Sequence, residues 1–258
     1  MKVISVNTNG IRAAGRKGFF EWLAKEQADF VCIQETKAQI DQLSDEMFHP
    51  SGYHCHYFDA QKKGYSGTAV YSRHQPDKVI VGLDKPEYDN EGRYLEVQVG
   101  NLSVVSLYLP SGSAKEERQV YKYQMMDFFL PFIKEKAAAG RDVIICGDWN
   151  IAHTKEDIKN WRGNQKNSGF LPEEREWLDV VFSDGGYKDA FREIEQAPET
   201  YTWWSNRGQA WANNTGWRID YHVISDSMQG TVKSSSVYRD ERFSDHSPLI
   251  INYDYSIG

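Results

Sequence analysis

Short apolar runs rich in β-branched residues recur along the chain, and each is bounded by Gly, Pro, Asn, Asp or Ser. Runs of about four to eight residues with such boundaries are typical of buried β-strands. The pattern therefore predicts strands at residues 3–6, 30–33, 68–71, 94–99, 102–109, 143–146, 219–224 and 249–251.

Helical patterns lie between some of these runs, with apolar residues at three- and four-residue steps. They predict helices at residues 19–27 and 115–139. Pro131 falls inside the second stretch, where we expect it to kink or split the helix, and Gly140 is a suitable stop. Pro172, which two glutamates follow, predicts the start of another helix.

The mixture of strands and helices predicts α/β or α+β layers. The polar, Gly- and Asn-rich segments 160–169 and 205–216 predict surface loops. No repeat, low-complexity stretch or linker divides the 258 residues, and this length suits one large domain. We therefore expect residues 1–258 to form a single domain.

The composition narrows the class of protein. The net charge of −7 argues against a uniformly basic surface for non-specific nucleic-acid binding, although a local basic face is compatible with it. Cys32, Cys55 and Cys146 form no Cys-x-x-Cys pair, which predicts reduced thiols. No segment approaches the roughly 20 apolar residues of a membrane span, and the N-terminal residues lack a signal-peptide pattern. We expect a cytoplasmic protein.

Polar and acidic residues repeatedly stand at the ends of the apolar runs. They are Asn7, Glu35, Tyr108, Asp148, Asn150, Asp220, Asp245 and His246. A single residue of this kind means little, because loops are polar in any case, but a set meeting at one rim of a sheet would form a site. Carboxylate and amide oxygens suit a hard cation such as Mg²⁺. The chain lacks zinc-ligand spacing, a phosphate-binding P-loop and a Gly-x-Ser-x-Gly motif.

Six motifs, taken in order, resemble the exonuclease III family of apurinic/apyrimidinic (AP) endonucleases. They are Asn7-Thr8-Asn9-Gly10-Ile11-Arg12, Gln34-Glu35-Thr36-Lys37, Tyr108-Leu109-Pro110, Gly147-Asp148-Trp149-Asn150, Gly216-Trp217-Arg218-Ile219-Asp220-Tyr221 and Ser244-Asp245-His246-Ser247-Pro248. The resemblance implies a deoxyribonuclease I-like α/β fold, a four-layer sandwich of two packed mixed β-sheets flanked by helices. It also implies Mg²⁺-dependent DNA repair by hydrolysis 5′ to abasic sites in duplex DNA, with 3′-phosphodiesterase and 3′-to-5′ exonuclease activity.

The resemblance also implies the roles of the site residues. The metal ligands would be Asn7, Glu35, Asp148, Asn150, Asp245 and His246. Glu35 would be the main ligand of one or two Mg²⁺ ions, for which Mn²⁺ would substitute. Asp148 would activate the attacking water or serve as a metal ligand, and Asn150 would contact a phosphate oxygen or orient the water. Tyr108 would bind the phosphate or assist the leaving oxygen. Without the motif, Asn7 reads as a turn cap and Tyr108 as a packing residue.

A physical argument selects the partner of His246. Neighbouring residues in an extended chain point to opposite sides, so Asp245 is a poor partner for the imidazole. Asp220, at the start of a predicted strand, is the better candidate. We predict an Asp220–His246 hydrogen bond that orients the ring and favours its charged form, which would stabilise charge on a phosphate.

Substrate recognition is implied by the same resemblance. A small apolar pocket of Trp203, Trp217 and Ile219 would accept an extruded abasic sugar, whose extrusion costs least where the base is missing. Asn164 and Asn167 would lie beside the phosphate, and Arg207 would enter the DNA stack or groove. We expect a monomer that acts on duplex DNA with abasic sites or blocked 3′ ends, is associated with the nucleoid through DNA, and has no membrane contact.

Three alternatives remain open at this stage. The first is a member of the same family specialised as a 3′-to-5′ exonuclease. The motifs do not distinguish it from an AP endonuclease, because the difference depends on the shape of the pocket. The second is a phosphoester hydrolase of this fold acting on inositol phosphates or sphingomyelin. The third is a DNA-binding protein without catalytic activity, which the complete set of motif residues disfavours.

Overall fold

The computed structural model describes residues 1–257, which form fourteen β-strands and six α-helices. The strands are β1 (Lys2–Asn7), β2 (Phe30–Gln34), β3 (His54–Phe58), β4 (Thr68–Ser72), β5 (Lys78–Val81), β6 (Tyr94–Val99), β7 (Leu102–Tyr108), β8 (Asp142–Asp148), β9 (Tyr187–Asp189), β10 (Trp203–Trp204), β11 (Gly216–Trp217), β12 (Asp220–Ser225), β13 (Val232–Val237) and β14 (Leu249–Tyr253). The helices are α1 (Ile11–Gly15), α2 (Phe19–Glu26), α3 (Pro86–Asp89), α4 (Glu116–Ala138), α5 (Trp161–Asn164) and α6 (Pro172–Ser183).

Two six-stranded mixed sheets contain most of these strands. The first has the order β13-β14-β1-β2-β4-β3, and the second has the order β5-β6-β7-β8-β12-β9. At the centre of each sheet, one pair of strands is parallel: β1 with β2, and β7 with β8. The other pairs in both sheets are antiparallel. A small third sheet pairs β10 with β11.

The alternation of side chains along the inner strands produces four layers. In β1, Val3 packs between the sheets, whereas Ile4 packs against α1 and α2. In β8, Ile144 packs between the sheets, whereas Val143 and Ile145 pack against α4 and α6. Both faces of these strands are buried, which explains why they read as continuous apolar runs. The four-layer sandwich implied by the resemblance is confirmed.

The edge strands were missed by the hydrophobic pattern. All eight predicted runs correspond to strands within about a residue or two of their predicted bounds, but β3, β5, β9 and β13 were not predicted. These four strands are the two edges of each sheet. Edge strands are partly exposed, so their sequences carry polar residues, as the Val232–Val237 strand does with VKSSSV. The two-residue strands β10 and β11 were too short to leave a periodic signal.

The longest helix continues through Pro131. Of the kink or split predicted at Pro131, the split is wrong, because α4 runs unbroken from Glu116 to Ala138. A helix-interior proline costs about 3 kcal/mol. Met126, Phe129 and Ile133, on both sides of it, are buried in the core, and burial of one such side chain contributes about 1.5–3 kcal/mol. Packing therefore outweighs the lost hydrogen bond.

The remaining local predictions are mostly confirmed. α2 ends one residue before the predicted end, Gly140 follows α4 with φ of 79°, and Pro172 begins α6. Residues 205–215 form turns and bends, as predicted, but residues 160–169 contain the short helix α5 and are not a simple loop. The three cysteines are free thiols. Among the described residues, no helix has the length and apolar character needed to cross a bilayer.

Candidate functional site

The strand order brings the predicted polar residues to one rim. β1 and β2 are parallel and pair Asn7 with Gln34, so Glu35 follows at the same end. β7 and β8 are also parallel and pair Tyr108 with Asp148. β12 runs the other way and begins there, with Asp220 opposite Asp148. Since the two sheets pack face to face, residues from both sheets meet at this end.

Glu35 lies at the centre of a hydrogen-bond network. Its Oε1 accepts hydrogen bonds from Tyr108 Oη at 2.7 Å and from Asn7 Nδ2 at 3.0 Å. Its Oε2 lies 2.7 Å from the ammonium of Lys37. Burial by itself would raise the pKa of Glu35, but the charge of Lys37 and the three hydrogen bonds hold that pKa below its ordinary value. The carboxylate is therefore ionised and fixed in orientation.

The contact of Lys37 with Glu35 was not predicted. It follows Glu35 by two residues and adopts a positive φ of 48°, which turns its side chain back towards the carboxylate. It also donates to Asn9 Oδ1. The sequence contained a signal, because Lys37 belongs to the Gln34-Glu35-Thr36-Lys37 motif. Its side chain provides one of the positive charges that face the carboxylates of the site.

The predicted Asp220–His246 hydrogen bond is present, with 2.9 Å between Asp220 Oδ2 and His246 Nδ1. The other ring nitrogen, Nε2, faces Asp148 Oδ2 at 3.8 Å. Burial would lower the pKa of His246, but the carboxylates of Asp220 and Asp148 raise it to about 10. The ring is therefore positively charged at neutral pH. Asp245 is bound instead by Asn9 Nδ2 at 2.9 Å and Trp203 Nε1 at 3.2 Å.

Asp148 is almost fully buried, and burial raises its pKa to about 7. His246 opposes this rise, whereas the charges of Asp220 and Glu35 add to it. Asn7 Nδ2 donates to Asp148 Oδ2 at 2.9 Å as well as to Glu35, so that it links the two carboxylates. A carboxyl group of this kind exchanges a proton near neutral pH, which is the property of a general base.

The side-chain amides of Asn7 and Asn150 are both held by hydrogen bonds. The nitrogen of the Asn7 amide faces the carboxylates, and its oxygen accepts the Asn9 backbone N–H at 2.9 Å. In this arrangement the oxygen needed for a metal ligand points away from the carboxylates. Asn150 Nδ2 donates to the Leu109 carbonyl at 2.8 Å, and its backbone N–H donates to Asp148 Oδ1. Within residues 1–257, the side-chain oxygen of Asn150 accepts no hydrogen bond, and its Nδ2 donates to no second partner.

These residues open onto a cleft of about 1080 Å³. Of the residues that sequence analysis singled out, Glu35, Tyr108, Asp148, Asn150, Asn164, Asn167, Trp203, Arg207, Trp217, Ile219, Asp245 and His246 line it. Asn7 and Asp220 are fully buried behind the lining, where they hold Glu35 and His246 in place. Ser111 to Ser113, in the loop after β7, also line the cleft and were not predicted, and Lys115 lies beside them.

One wall of the cleft is apolar. The Trp203 and Trp217 rings meet edge to face, with 6.0 Å between centroids, and Ile219 packs with them. A side chain at Gly169 would lie 3.1 Å from both the Asn150 carbonyl and the Trp217 ring. Gly169 also has φ of 92°, a conformation that favours glycine. The wall therefore leaves a recess beside Asn150.

The two asparagines of the next segment lie at the edge of this recess. Asn167 Nδ2 donates to Asn164 Oδ1 at 2.7 Å, and Asn164 Nδ2 donates to the Asn160 carbonyl. Asn164 belongs to α5, so the short helix fixes the position of both side chains. Arg207 lies on the cleft and is exposed.

The residues present fit a bound cation. Asp148, Asp220 and His246 each place a possible ligand atom within 4.8 Å of the others. Asp220 Oδ2 and His246 Nδ1 are engaged with each other, so we regard the oxygens of Glu35 and Asp148, which line the cleft, as the better donors. Asp220 Oδ1 is buried without a hydrogen-bond partner within residues 1–257. Carboxylates in excess over cationic groups are the setting in which a hard metal ion binds.

Comparisons with known proteins agree with this geometry. Residues 4–246 match the model of the endonuclease/exonuclease/phosphatase family. The chain is 42% identical over 256 residues to an exodeoxyribonuclease of Bacillus subtilis, covering 98% of this chain and 100% of the relative. It is 35% identical to a DNA-(apurinic or apyrimidinic site) endonuclease of Dictyostelium discoideum, covering 98% of this chain and 71% of the relative.

Solved structures resemble the fold over nearly the whole chain. An AP endonuclease from Archaeoglobus fulgidus matches with a TM-score of 0.89 and 25% identity, covering 99% of this chain and 100% of the other. A 3′-5′ exonuclease from Neisseria meningitidis matches with a TM-score of 0.90 and 26% identity, with the same coverage.

Proposed function

The chain belongs to the endonuclease/exonuclease/phosphatase family and is a DNA repair nuclease of the exonuclease III type, and from this premise we propose its reaction. The protein hydrolyses the phosphodiester bond 5′ to an abasic site in duplex DNA, with 3′-phosphodiesterase and 3′-to-5′ exonuclease activity. The observation that carries the proposal is one cleft in which Glu35, Asp148 and the Asp220–His246 pair face an apolar recess of Trp203, Trp217 and Ile219.

The cofactor we propose is Mg²⁺, with Mn²⁺ as a substitute, as one ion or two. Glu35 would be the main ligand, and the further candidates are Asn7, Asp148, Asn150, Asp245 and His246. Asn7 requires a rotation of its amide to present oxygen, and His246 must lose its Nε2 proton before that nitrogen can bind a cation. When bound, a divalent ion supplies charge neutralisation at a phosphate and lowers the pKa of water. The oxygen-rich donor set supports a hard ion of this kind.

The protein groups divide the work of hydrolysis. Asp148, whose pKa lies at about 7, accepts the proton of the attacking water. His246, kept charged by Asp220, places a positive charge beside the phosphate. Tyr108 remains protonated, because burial and the nearby charge of Glu35 raise its pKa well above the ordinary value. It therefore donates a hydrogen bond to Glu35 and orients this ligand.

The recess selects the substrate. An abasic sugar enters between the indole wall and Asn150, whereas an intact nucleotide carries a base that needs additional room. Asn164 and Asn167 contact the phosphate, and Arg207 enters the DNA stack or groove from the rim. We further infer that residues 1–258 form one catalytic domain, which acts as a cytoplasmic monomer associated with the nucleoid through DNA. The shared core between the two sheets supports the single domain.

The experiment that tests the function uses two DNA substrates. One is a duplex with a central abasic analogue, and the other is an undamaged duplex with a recessed 3′ end. Each is incubated with Mg²⁺ or with a chelator, and the product lengths are measured. We expect one incision 5′ to the abasic site with Mg²⁺ only, abolished by Glu35→Gln. Incision in the chelator would overturn the metal proposal.

A family member specialised as a 3′-to-5′ exonuclease is the second candidate. It is supported by the likeness to the exonuclease structure from Neisseria meningitidis. The same assay distinguishes the two, because a ladder of shortened strands without abasic incision would identify the exonuclease.

A further inference from the structure

The segment from Ser205 to Thr215, which we call the rim loop, borders the cleft. Ser205, Arg207, Ala210 and Thr215 all contribute to the lining. Arg207 is exposed at this rim, and its backbone N–H donates to Ser205 Oγ at 3.1 Å. Within residues 1–257, its guanidinium has neither a hydrogen-bond nor an ion-pair partner. Its position therefore depends on the conformation of the loop.

A group of guanidinium and indole side chains holds the rim loop, and we call it the guanidinium–indole stack. It consists of Trp204, Trp211, Arg239 and Arg242. The Arg239 guanidinium lies 4.6 Å from the Trp204 ring and 4.7 Å from the Trp211 ring. The Arg242 guanidinium lies 4.8 Å from the Trp211 ring. The two indoles meet edge to face, with 4.5 Å between centroids. Trp211 thus contacts every other member.

Hydrogen bonds fix the stack to the loop. Arg239 donates to Asn214 Oδ1 at 3.1 Å, and Trp204 Nε1 donates to the same oxygen. Arg242 donates to Asn206 Oδ1 at 2.9 Å. Asn206 directly precedes Arg207, so the contact reaches the residue at the rim. The loop is held at both ends, at Asn206 and at Asn214.

The stack also connects the rim loop to the catalytic segment. Arg242 Nε donates to the Ser244 carbonyl at 3.2 Å, and the Trp204 backbone N–H donates to the Asp245 carbonyl at 3.1 Å. Asp245 and His246 follow directly. The distance and direction between Arg207 and the catalytic histidine are therefore set by one contact network.

The charges of the stack have no carboxylate partner among the described residues. Neither Arg239 nor Arg242 forms an ion pair, although the chain carries a net charge of −7. A polar surface loop that orders only on binding weakens affinity by the entropy of ordering, and ordering it in advance removes this cost. Cation–π contacts with indoles order the loop without neutralising positive charge, which remains available to attract DNA phosphates.

We propose that the guanidinium–indole stack is a positioning device that fixes Arg207 at the rim before DNA binds. The stack thereby sets the affinity for abasic duplex rather than the rate of bond cleavage. This inference rests on the proposed function. Trp211 is the residue to test, because it contacts every other member and carries no charge.

The test is a double-mutant cycle of Trp211→Ala with Arg207→Ala. Affinity for an abasic-analogue duplex is measured in chelator, and single-turnover incision is measured with Mg²⁺ at saturating protein. We expect each single variant to weaken affinity about tenfold, because Trp211→Ala removes a cation–π network of this magnitude and Arg207→Ala removes the side chain that the network positions. The double variant should bind the duplex with the same affinity as Arg207→Ala alone. The saturated rate of Trp211→Ala should stay within about twofold of the parent.

A conservative and a remote variant serve as controls. Trp211→Phe keeps an aromatic ring and should recover most of the affinity. Tyr53→Ala removes a comparable cation–π contact, because the Arg73 guanidinium lies 5.7 Å from the Tyr53 ring. The Tyr53 hydroxyl donates to the Ala28 carbonyl just before β2, at the opposite end of this strand from Glu35. It should leave affinity unchanged. Thermal unfolding of every variant is recorded, so that a loss of folded protein is visible directly.

The outcomes separate this inference from the proposed function. Affinity losses that multiply in the double variant, or an unchanged affinity in either single variant, would overturn the positioning role. The positioning role would also be overturned if the single-turnover rate of Trp211→Ala at saturating protein fell by the same factor as its affinity, and Trp211→Phe did not restore that rate. A parent protein that incises no abasic duplex would instead overturn the proposed function.

Discussion

Two clusters of buried charge share neighbouring positions on the chain, because Arg218 belongs to one and Asp220 to the other, and they differ in how their charges are balanced. In the closed cluster, Arg218 lies 2.7 Å from both Asp157 and Asp189, and Arg192 also binds Asp157. In the open cluster, defined by the carboxylates of Glu35, Asp148, Asp220 and Asp245, the ion pairs formed within residues 1–257 involve only Lys37 and His246.

The carboxyl groups of the two clusters respond to burial in opposite ways. Burial alone would raise the pKa of Asp157, but Arg218 and Arg192 hold it well below its ordinary value. Burial raises the pKa of Asp148 to about 7, and the neighbouring acids reinforce the rise. At nearly equal burial, the neighbouring arginines stabilise the ionised form of Asp157, whereas the neighbouring acids destabilise the ionised form of Asp148. Asp148 faces the cleft, where a bound cation would offset the excess of negative charge.

The largest effect is expected from Asp148→Asn, which removes charge from the open cluster. Incision should fall about a thousandfold, because the base is lost. The melting temperature should stay equal or rise, because one uncompensated buried charge disappears. Single-turnover kinetics and thermal unfolding measure the two quantities. A melting temperature several degrees lower would contradict the assignment of this cluster as unbalanced.

The converse result is expected from Asp157→Ala in the closed cluster. The free energy of unfolding should fall by about 3–5 kcal/mol, because Arg218 is left buried without its main partner. Incision per folded molecule should persist at temperatures below unfolding. Urea denaturation measures the free energy of unfolding. The matched control is Glu156→Ala, because Glu156 is the exposed neighbour of Asp157. Equal stability of the two variants would remove the structural role of the cluster.

A smaller effect is expected from Lys37→Met. The ion pair with Glu35 is partly exposed, so its loss should change the free energy of unfolding by less than about 1 kcal/mol. Incision should fall about tenfold, because Lys37 helps to keep Glu35 ionised and oriented. Lys17→Met, which removes a charge from the neighbouring α1–α2 turn, is the control. An effect on stability larger than that on incision would run against this division of roles.

The smallest effect is a pH dependence of stability. Because the folded pKa of Asp157 is lowered, its contribution is present above the unfolded pKa of about 4 and is lost as pH falls towards the folded value. Stability of the parent should therefore decline below about pH 4 more steeply than that of Asp157→Asn. Urea midpoints between neutral and acid pH test this, and parallel curves would count against it.

The sequence predicted the chemistry of the site better than its supporting contacts. The residue types and the Asp220–His246 bond followed from motifs and from the geometry of an extended chain. The contact of Lys37 with Glu35 was missed because it depends on a positive φ that turns the lysine towards Glu35. Arg218 belongs to a recognised motif, yet only its contacts with Asp157 and Asp189 reveal that it stabilises the fold.

The sequence by itself determined the buried strands, the main helices and the set of oxygen-bearing residues at strand ends, because local periodicity and turn residues encode them. The tertiary structure decided which of these ends meet. The parallel pairs β1–β2 and β7–β8, packed face to face, bring Glu35 and Asp148 to one rim. It also decided the edge strands, the course of α4 through Pro131 and the charge balance of each cluster. These depend on contacts between residues far apart in sequence, and such contacts have no periodic signal along the chain.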